Sequence, residues 1–140
     1  MKRERILVIA ADKDLASQMG EALRQAGYSV WRASDEVEGL KKLRKTTPDL
    51  VVIERELLHM KREDPCSRIR QASYVPIIAV GCGQCVTEIL ESGADAHMSN
   101  PPNLRELTAR VRALLRRKNR GELLRDNLNI GTRKILDDTY

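Results

Sequence analysis

Short apolar runs alternate along the chain with longer stretches in which apolar residues recur every three or four positions. Residues 6–9, 50–53 and 76–80 form apolar runs, and together with the more mixed segments 28–32 and 94–98 they predict five strands. The stretches between them have the periodicity of amphipathic helices. Runs that are apolar at nearly every position indicate strands buried on both faces, as in parallel sheets. The alternation therefore predicts an α/β fold with helices packed on both faces of the sheet.

Capping residues and helical spacing mark several of the predicted helices. Asp12 or Asp14 is expected to cap the first helix, and Asn103 is expected to cap the last one. The second helix is expected to turn Val37, Leu40 and Leu43 towards the sheet, because successive members of this set are three positions apart. Lysines and arginines of the same helix then face water.

The functional residues of such a fold are expected just after the strands, because ligands bind at the carboxyl ends of parallel strands. Ala10 and Ala11 follow the first strand, and Glu54 follows the third. Gly81 follows the fourth strand and Asn100 the fifth. Glu54 is the one charged residue among these five positions.

The charge of the chain is concentrated near its C-terminal end. The 140 residues carry 25 Lys and Arg against 20 Asp and Glu, a net charge of +5, and fit one domain. Residues 105–120 hold seven basic residues and one acidic residue, a local charge of +6, so the remainder sums to −1. Such a stripe attracts phosphates or acidic partners, or it is a solvated helix face.

Composition excludes some classes of protein and indicates a compartment. The chain has no Phe and 3% aromatic residues, which argues against a protein that stacks bases on exposed rings. Its longest apolar run, residues 6–11, is too short to cross a membrane, so no membrane partner is expected. Three cysteines, an odd number, fit reduced thiols and a cytoplasmic protein.

Several segments resemble the receiver domain of two-component response regulators. They are RILVI at residues 5–9, PDLVVI at 48–53, SGADA at 92–96 and LRELTARVRALLRR at 104–117. The resemblance covers roughly residues 4–118 in the family's order. It implies a flavodoxin-like, doubly wound sheet of five parallel strands in the order 2-1-3-4-5, with helices on both faces. It also implies a receiver-like domain over residues 1–118.

The residues on which the family's phosphorylation depends are absent. The family uses an acidic pair after the first strand to hold Mg²⁺ and a phosphorylatable Asp after the third. It also uses a Thr or Ser after the fourth strand, a Lys before Pro after the fifth, and an aromatic residue on the fifth. At these positions this chain has, in the same order, Ala10 and Ala11, Glu54, Gly81, Asn100 and His97.

These departures imply a receiver that is not phosphorylated. Mg²⁺ requires oxygen ligands, and the side chains of Ala10 and Ala11 supply none. Phosphoryl transfer depends on metal and cationic charges. We therefore expect a pseudo-receiver without metal or cofactor that acts as a dimerisation or protein-interaction module and is not an enzyme. Glu54 either imitates the charge of an acyl phosphate or is a polar residue left in an inactive pocket.

The resemblance also implies partners. In the class of response regulators with a winged-helix DNA-binding domain, receivers dimerise through the fourth helix, fifth strand and fifth helix. Glu106 and Arg110 match this face, whereas Ala96 replaces an Asp and Val86 a basic residue. A homodimer that needs no phosphorylation is expected. Residues 119–140 are either a linker or the start of a truncated DNA-binding domain, so DNA binding is expected only through a domain beyond residue 140.

A pair of cysteines supports an alternative function. Cys82 and Cys85 are separated by two residues just after the fourth predicted strand, where a helix N-terminus can lower a thiol pKa. With Cys66 as a third thiol and His97 as a nitrogen ligand, they could form a redox or metal sensor. A stand-alone adaptor protein is a further alternative.

Overall fold

The computed structural model describes residues 3–54, 65–81 and 93–127. The strands are β1 (Arg5–Ile9), β2 (Ser29–Ala33), β3 (Leu50–Glu54), β4 (Ile77–Val80) and β5 (Ala96–Met98). The helices in these ranges are α1 (Lys13–Gln25), α2 (Glu36–Thr46), α3 (Pro65–Ala72) and α4 (Leu104–Asn127). All strand pairs are parallel and the order is β2-β1-β3-β4-β5, which confirms the predicted sheet.

The alternating side chains of the strands divide the core into two layers. On one face of the sheet, Val8 and Val52 pack with residues of α1 and α4 such as Met19 and Leu107. On the other face, strand residues such as Val51 pack with buried residues of α2 and α3. The strands β1, β3 and β4 are buried on both faces, which explains why they are apolar at nearly every position, whereas the edge strands β2 and β5 are mostly half-buried.

Helix α1 begins at the Asp12 cap. The Asp12 carboxylate accepts hydrogen bonds from the backbone N–H of Asp14 and of Leu15, which identifies Asp12 and not Asp14 as the capping residue. After the helix, Gly27 has a φ of 101°, a left-handed conformation that favours glycine. The cap fixes the position at which the chain leaves β1 and enters α1.

The prediction for the inward face of α2 is wrong at Val37, which is 57% exposed. Glu36, Gly39 and Leu43 are the buried residues of this helix. Gly39 lies so close to Ile9 that a Cβ atom there would be 2.5 Å from the Ile9 Cδ1. The close approach at Gly39 sets the rotation of α2 and leaves Val37 on the solvent side.

Helix α4 corresponds to the last predicted helix. The Asn103 side chain accepts a hydrogen bond from the backbone N–H of Glu106, in agreement with the expected cap. The helix continues past Lys118 to Asn127, so the expected domain boundary falls inside it. The fourth predicted helix, around Val86, and residues 128–140 of the expected linker or DNA-binding segment lie outside the described residues. None of the helices described is long and apolar enough to cross a membrane.

Candidate functional site

The carboxyl edge of the sheet brings together the residues that follow β1 and β3. Ala10 is buried, and its backbone N–H donates to the carbonyl oxygen of Ala33 at 2.9 Å. Ala11 is exposed and begins the loop that leads to α1. Neither side chain has an oxygen, so the loop after β1 offers only backbone groups and Asp12 to a ligand.

Glu54 connects β3 to this loop. It is the last residue of β3, paired with Val80, and it is 4% exposed. Its Oε1 accepts hydrogen bonds from the backbone N–H of Ala11 at 2.9 Å and of Asp12 at 3.3 Å. A carboxylate buried in this way is stabilised by the two donors. The side chain therefore bridges two neighbouring strand ends across the edge of the sheet.

The other acidic group of the loop has a separate role. The Asp12 Oδ1 accepts from the backbone N–H of Asp14 at 2.9 Å and of Leu15 at 3.1 Å, which caps α1. The carboxylates of Asp12 and Glu54 are thus both engaged with backbone donors.

These groups do not form a site for Mg²⁺. In the described ranges, no cluster of three or more His, Cys, Asp or Glu residues is arranged to hold a metal ion. Mg²⁺ requires several oxygen ligands in near-octahedral geometry. The alanines at positions 10 and 11 supply no side-chain oxygen, and Glu54 already accepts two hydrogen bonds. The residues present do not fit the metal that the receiver fold ordinarily holds at this place.

The strand ends of β4 and β5 are joined to each other. The backbone N–H of Gly81 donates to the carbonyl oxygen of Met98 at 2.9 Å. The His97 Nε2 lies 3.1 Å from the carbonyl oxygen of Gly81, so Nε2–H donates to it. Gly81 is buried and offers no hydroxyl, and Asn100 is half-buried. His97 therefore links β5 to the end of β4. The side chain of Asn100 is uncharged, so it supplies no positive charge at the edge of the sheet.

The residues expected on a dimer face lie on α4 and β5. Glu106 and Arg110 form an ion pair within α4, with the Arg110 Nη2 2.9 Å from the Glu106 Oε1, and both are exposed. Ala96 is half-buried on β5. Val86, the remaining position of this face, lies outside the described residues.

The expected thiol site is only partly described. Cys66 is fully buried in the core layer shared by α2 and α3, alongside Ile69. A thiol enclosed by apolar side chains is not accessible to an oxidant or metal in solution. Cys82 and Cys85 lie outside the described residues.

Sequence reasoning identified the side chains at this edge and missed the backbone groups. The Ala11 N–H is a hydrogen-bond donor to Glu54, but a side-chain motif contains no information about it. It also missed the ion pair between α2 and α3, in which the Arg68 Nη1 lies 3.1 Å from the Glu36 Oε1. In the sequence, the sign of this pair is a glutamate at the first position of a helix. Acidic residues are also common at exposed helix N-termini, so this sign does not distinguish a buried pair.

Comparisons with known proteins agree with the fold. The family profile described as "Response regulator receiver domain" matches residues 6–112. The "DNA-binding response regulator MtrA" of Mycobacterium tuberculosis is 37% identical over 118 residues, which cover 82% of this chain and 52% of that protein. The "Alkaline phosphatase synthesis transcriptional regulatory protein PhoP" of Bacillus subtilis is 33% identical over 149 residues, covering 98% of this chain and 62% of that protein. The chain thus spans between half and two thirds of the length of these relatives.

Solved structures have the same arrangement of strands and helices. A two-component response regulator from Clostridium difficile superposes with a TM-score of 0.75 at 31% identity, covering 84% of this chain and 99% of that one. A CheY-like receiver domain protein from Methanospirillum hungatei has a TM-score of 0.78 at 22% identity, covering 86% and 99%. The first similarity extends to sequence, and the second supports the fold alone.

Proposed function

Since the chain belongs to the response regulator receiver family, we propose that it is a phosphorylation-independent receiver of a transcription regulator. It acts as a module for dimerisation or protein interaction and has no catalytic activity of its own. The residue at the phospho-acceptor position supports this function, because the Glu54 carboxylate already accepts two backbone hydrogen bonds. Membership of the family indicates a role in two-component signalling. The residues at the carboxyl edge of the sheet are the ones that depart from the family's pattern.

The hydrogen bonds of Glu54 carry the proposal. Its Oε1 accepts from the backbone N–H of Ala11 and of Asp12. A phosphoryl group entering here would have to displace these bonds without a metal ion, because the two alanines offer no ligands. The carboxylate also points to the loop after β1 and not to Gly81, which has no hydroxyl to respond to it. We therefore favour a fixed structural bridge over imitation of a phosphorylated aspartate.

Incubation with acetyl phosphate and Mg²⁺, followed by intact mass measurement, tests this function. The unmodified mass is expected to persist throughout. A control variant restores the family's residues by Ala10→Asp, Ala11→Asp, Glu54→Asp, Gly81→Thr and Asn100→Lys. It is expected to gain the mass of one phosphoryl group under the same conditions. A stable phosphoryl adduct on the natural chain would overturn the proposal.

We also propose that the chain forms a homodimer without phosphorylation. The dimer face that the resemblance to winged-helix regulators implies includes the fifth strand, β5, and the last helix, α4. Glu106 and Arg110 are present on α4, and Ala96 on β5 replaces an acidic residue. Glu106 and Arg110 neutralise each other within α4. An interface with fewer ion pairs between subunits is expected to respond weakly to salt. Sedimentation velocity at high micromolar concentration is expected to show a dimer, and a monomer would contradict this.

The chain is proposed to continue into a DNA-binding domain. The similarity to the Bacillus subtilis transcriptional regulator covers 98% of the chain, so it includes residues that follow Lys118. Helix α4 also runs beyond Lys118, which suits a helical connection to a following unit. The genomic sequence after the codon of Tyr140 tests this. A helix-turn-helix is expected there, whereas an immediate stop codon would favour a stand-alone adaptor.

A further inference from the structure

Helix α4 presents a line of arginines on the side that faces away from the sheet. Leu107, Val111 and Leu115 are buried and define the inner face of this helix. Residues seven and four positions apart lie on one side of a helix, because its period is 3.6 residues. The outer side accordingly carries four exposed arginines at such spacings, namely Arg105, Arg112, Arg116 and Arg120.

Most of the positive charge on this line is not neutralised by the described part of the chain. Glu106 is paired with Arg110, and Lys118 lies 3.2 Å from the Asp49 Oδ1. Among the side chains described in residues 3–54, 65–81 and 93–121, no carboxylate forms an ion pair with Arg105, Arg116 or Arg120. Four of the seven cations in residues 105–120 are therefore displayed on one surface, and three of these four are available to an external anion.

We propose that the arginine line of α4 binds the phosphate backbone of double-stranded DNA. The proposal rests on the proposed function for its context, since a regulator's receiver would be held close to DNA by the domain that follows it. The contact would be independent of sequence and would add to recognition by that domain. It extends the DNA-binding surface into the receiver itself.

The composition of the surface favours DNA over an acidic protein. Cores of protein–protein interfaces are depleted of charged residues and enriched in apolar anchors. Protein–DNA interfaces are more polar and strongly positive. On the outer side of α4 the exposed residues between the arginines include Ala109 and no large apolar side chain. Guanidinium groups, which match phosphate oxygens in a bidentate manner, supply nearly all of the exposed charge.

The dimensions of the line also suit a duplex. Arg105 and Arg120 are 15 residues apart, which at 1.5 Å per residue corresponds to about 22 Å along the helix axis. This length covers about six base pairs of B-DNA, whose rise along each strand is about 3.4 Å. Three or four phosphates can therefore be contacted at once.

Fluorescence anisotropy of a labelled duplex of arbitrary sequence, titrated with the full 140-residue chain, tests the proposal. Binding is expected at about 50 mM KCl and is expected to weaken steeply towards about 200 mM. With three or four phosphates neutralised, the logarithm of the association constant should fall against the logarithm of salt with a slope of about −3. A chain that shows no binding at the lower salt concentration would overturn the proposal.

A pair of charge-matched variants separates a defined surface from net charge. Arg105→Glu/Arg116→Glu/Arg120→Glu reverses the line, while Arg112 is retained because its charge interacts with the side chain of Tyr28. The control Lys41→Glu/Arg44→Glu/Lys45→Glu reverses three exposed cations of α2. The α4 variant is expected to lose binding at least ten-fold and the α2 variant less than three-fold. Equal losses would show that only net charge matters and would refute the surface.

A competition experiment completes the test. Unlabelled polyglutamate is expected to displace the labelled duplex much less effectively than unlabelled duplex does at the same charge concentration. Equal competition would assign the surface to acidic polypeptides instead. These readouts do not depend on phosphorylation, so an adduct in the acetyl phosphate experiment would overturn the proposed function and leave this result standing.

Discussion

One methylene group separates Glu54 from the aspartate that receivers carry at its position, and that difference changes its partners. The longer side chain extends from the end of β3 to the loop after β1, where two backbone N–H groups meet its Oε1. The identity of Glu54 as the charged residue of the edge could be predicted from the sequence. Its role as a bridge could not, because the donors are backbone groups of Ala11 and Asp12.

Removal of the Glu54 carboxylate is expected to destabilise the fold. Glu54→Ala should lower the free energy of unfolding by about 1–3 kcal/mol, because two partly buried N–H groups lose their acceptor. Glu54→Gln keeps an acceptor oxygen of the same reach and should lose less. Urea denaturation of both variants measures the difference. A Glu54→Ala variant as stable as the natural chain would show that the bridge contributes nothing.

The close approach of α2 to the sheet at Gly39 gives a second test. A Cβ at this position would lie 2.5 Å from the Ile9 Cδ1 and 3.0 Å from the Ile9 Cγ1, and Ile9 is buried. Gly39→Ala is therefore expected to lower the free energy of unfolding by about 1–3 kcal/mol through overpacking.

Gly121 provides the matched control for Gly39. It also lies within a helix, and a Cβ there would meet no atom within 4 Å. Gly121→Ala should leave stability unchanged or raise it by up to about 1 kcal/mol, because alanine is the better helix former. Thermal denaturation of the two variants compares them, and equal effects would contradict the packing argument.

At the scale of elements, capping residues were easier to predict than helix rotation. Asp12 and Asn103 were expected caps, and both accept hydrogen bonds from the first turns of their helices. The rotation of α2 was predicted from apolar spacing, which placed Val37 inward. In the structure, a small residue and a paired charge occupy the inner side instead, and neither contributes to an apolar periodicity.

The ion pair between Glu36 and Arg68 is expected to hold α2 and α3 together. The Glu36 side chain is 2% exposed and that of Arg68 is 40% exposed, so removal of the arginine leaves a carboxylate in a largely buried place. Arg68→Met should lower the free energy of unfolding by about 1–3 kcal/mol. In a double-mutant cycle, Glu36→Gln/Arg68→Met should lose less than the sum of the two single changes.

The exposed pair of Arg24 and Glu21 within α1 serves as the control, with its side chains 49% and 63% exposed. Arg24→Met is expected to change stability by less than about 1 kcal/mol, because water screens an exposed pair. If Arg68→Met were equally harmless, the pair between α2 and α3 would not stabilise their contact.

At the scale of the whole molecule, the sheet and both of its covering layers could be predicted from the alternation of apolar runs and amphipathic stretches. The strand order came from the resemblance to receivers, since periodicity does not determine which strands are neighbours. The outer surface of α4 could be predicted only as a concentration of charge. Its display on one side depends on which residues are buried, and that is a property of the folded chain.

Sedimentation velocity of the full chain before and after treatment with acetyl phosphate and Mg²⁺ tests the central claim most directly. Under the proposed function, an edge without metal ligands and with Glu54 engaged does not couple a phosphodonor to assembly. We therefore predict the same dimer fraction at high micromolar concentration in both samples. A chain that sediments as a monomer before treatment and as a dimer afterwards would contradict a phosphorylation-independent receiver.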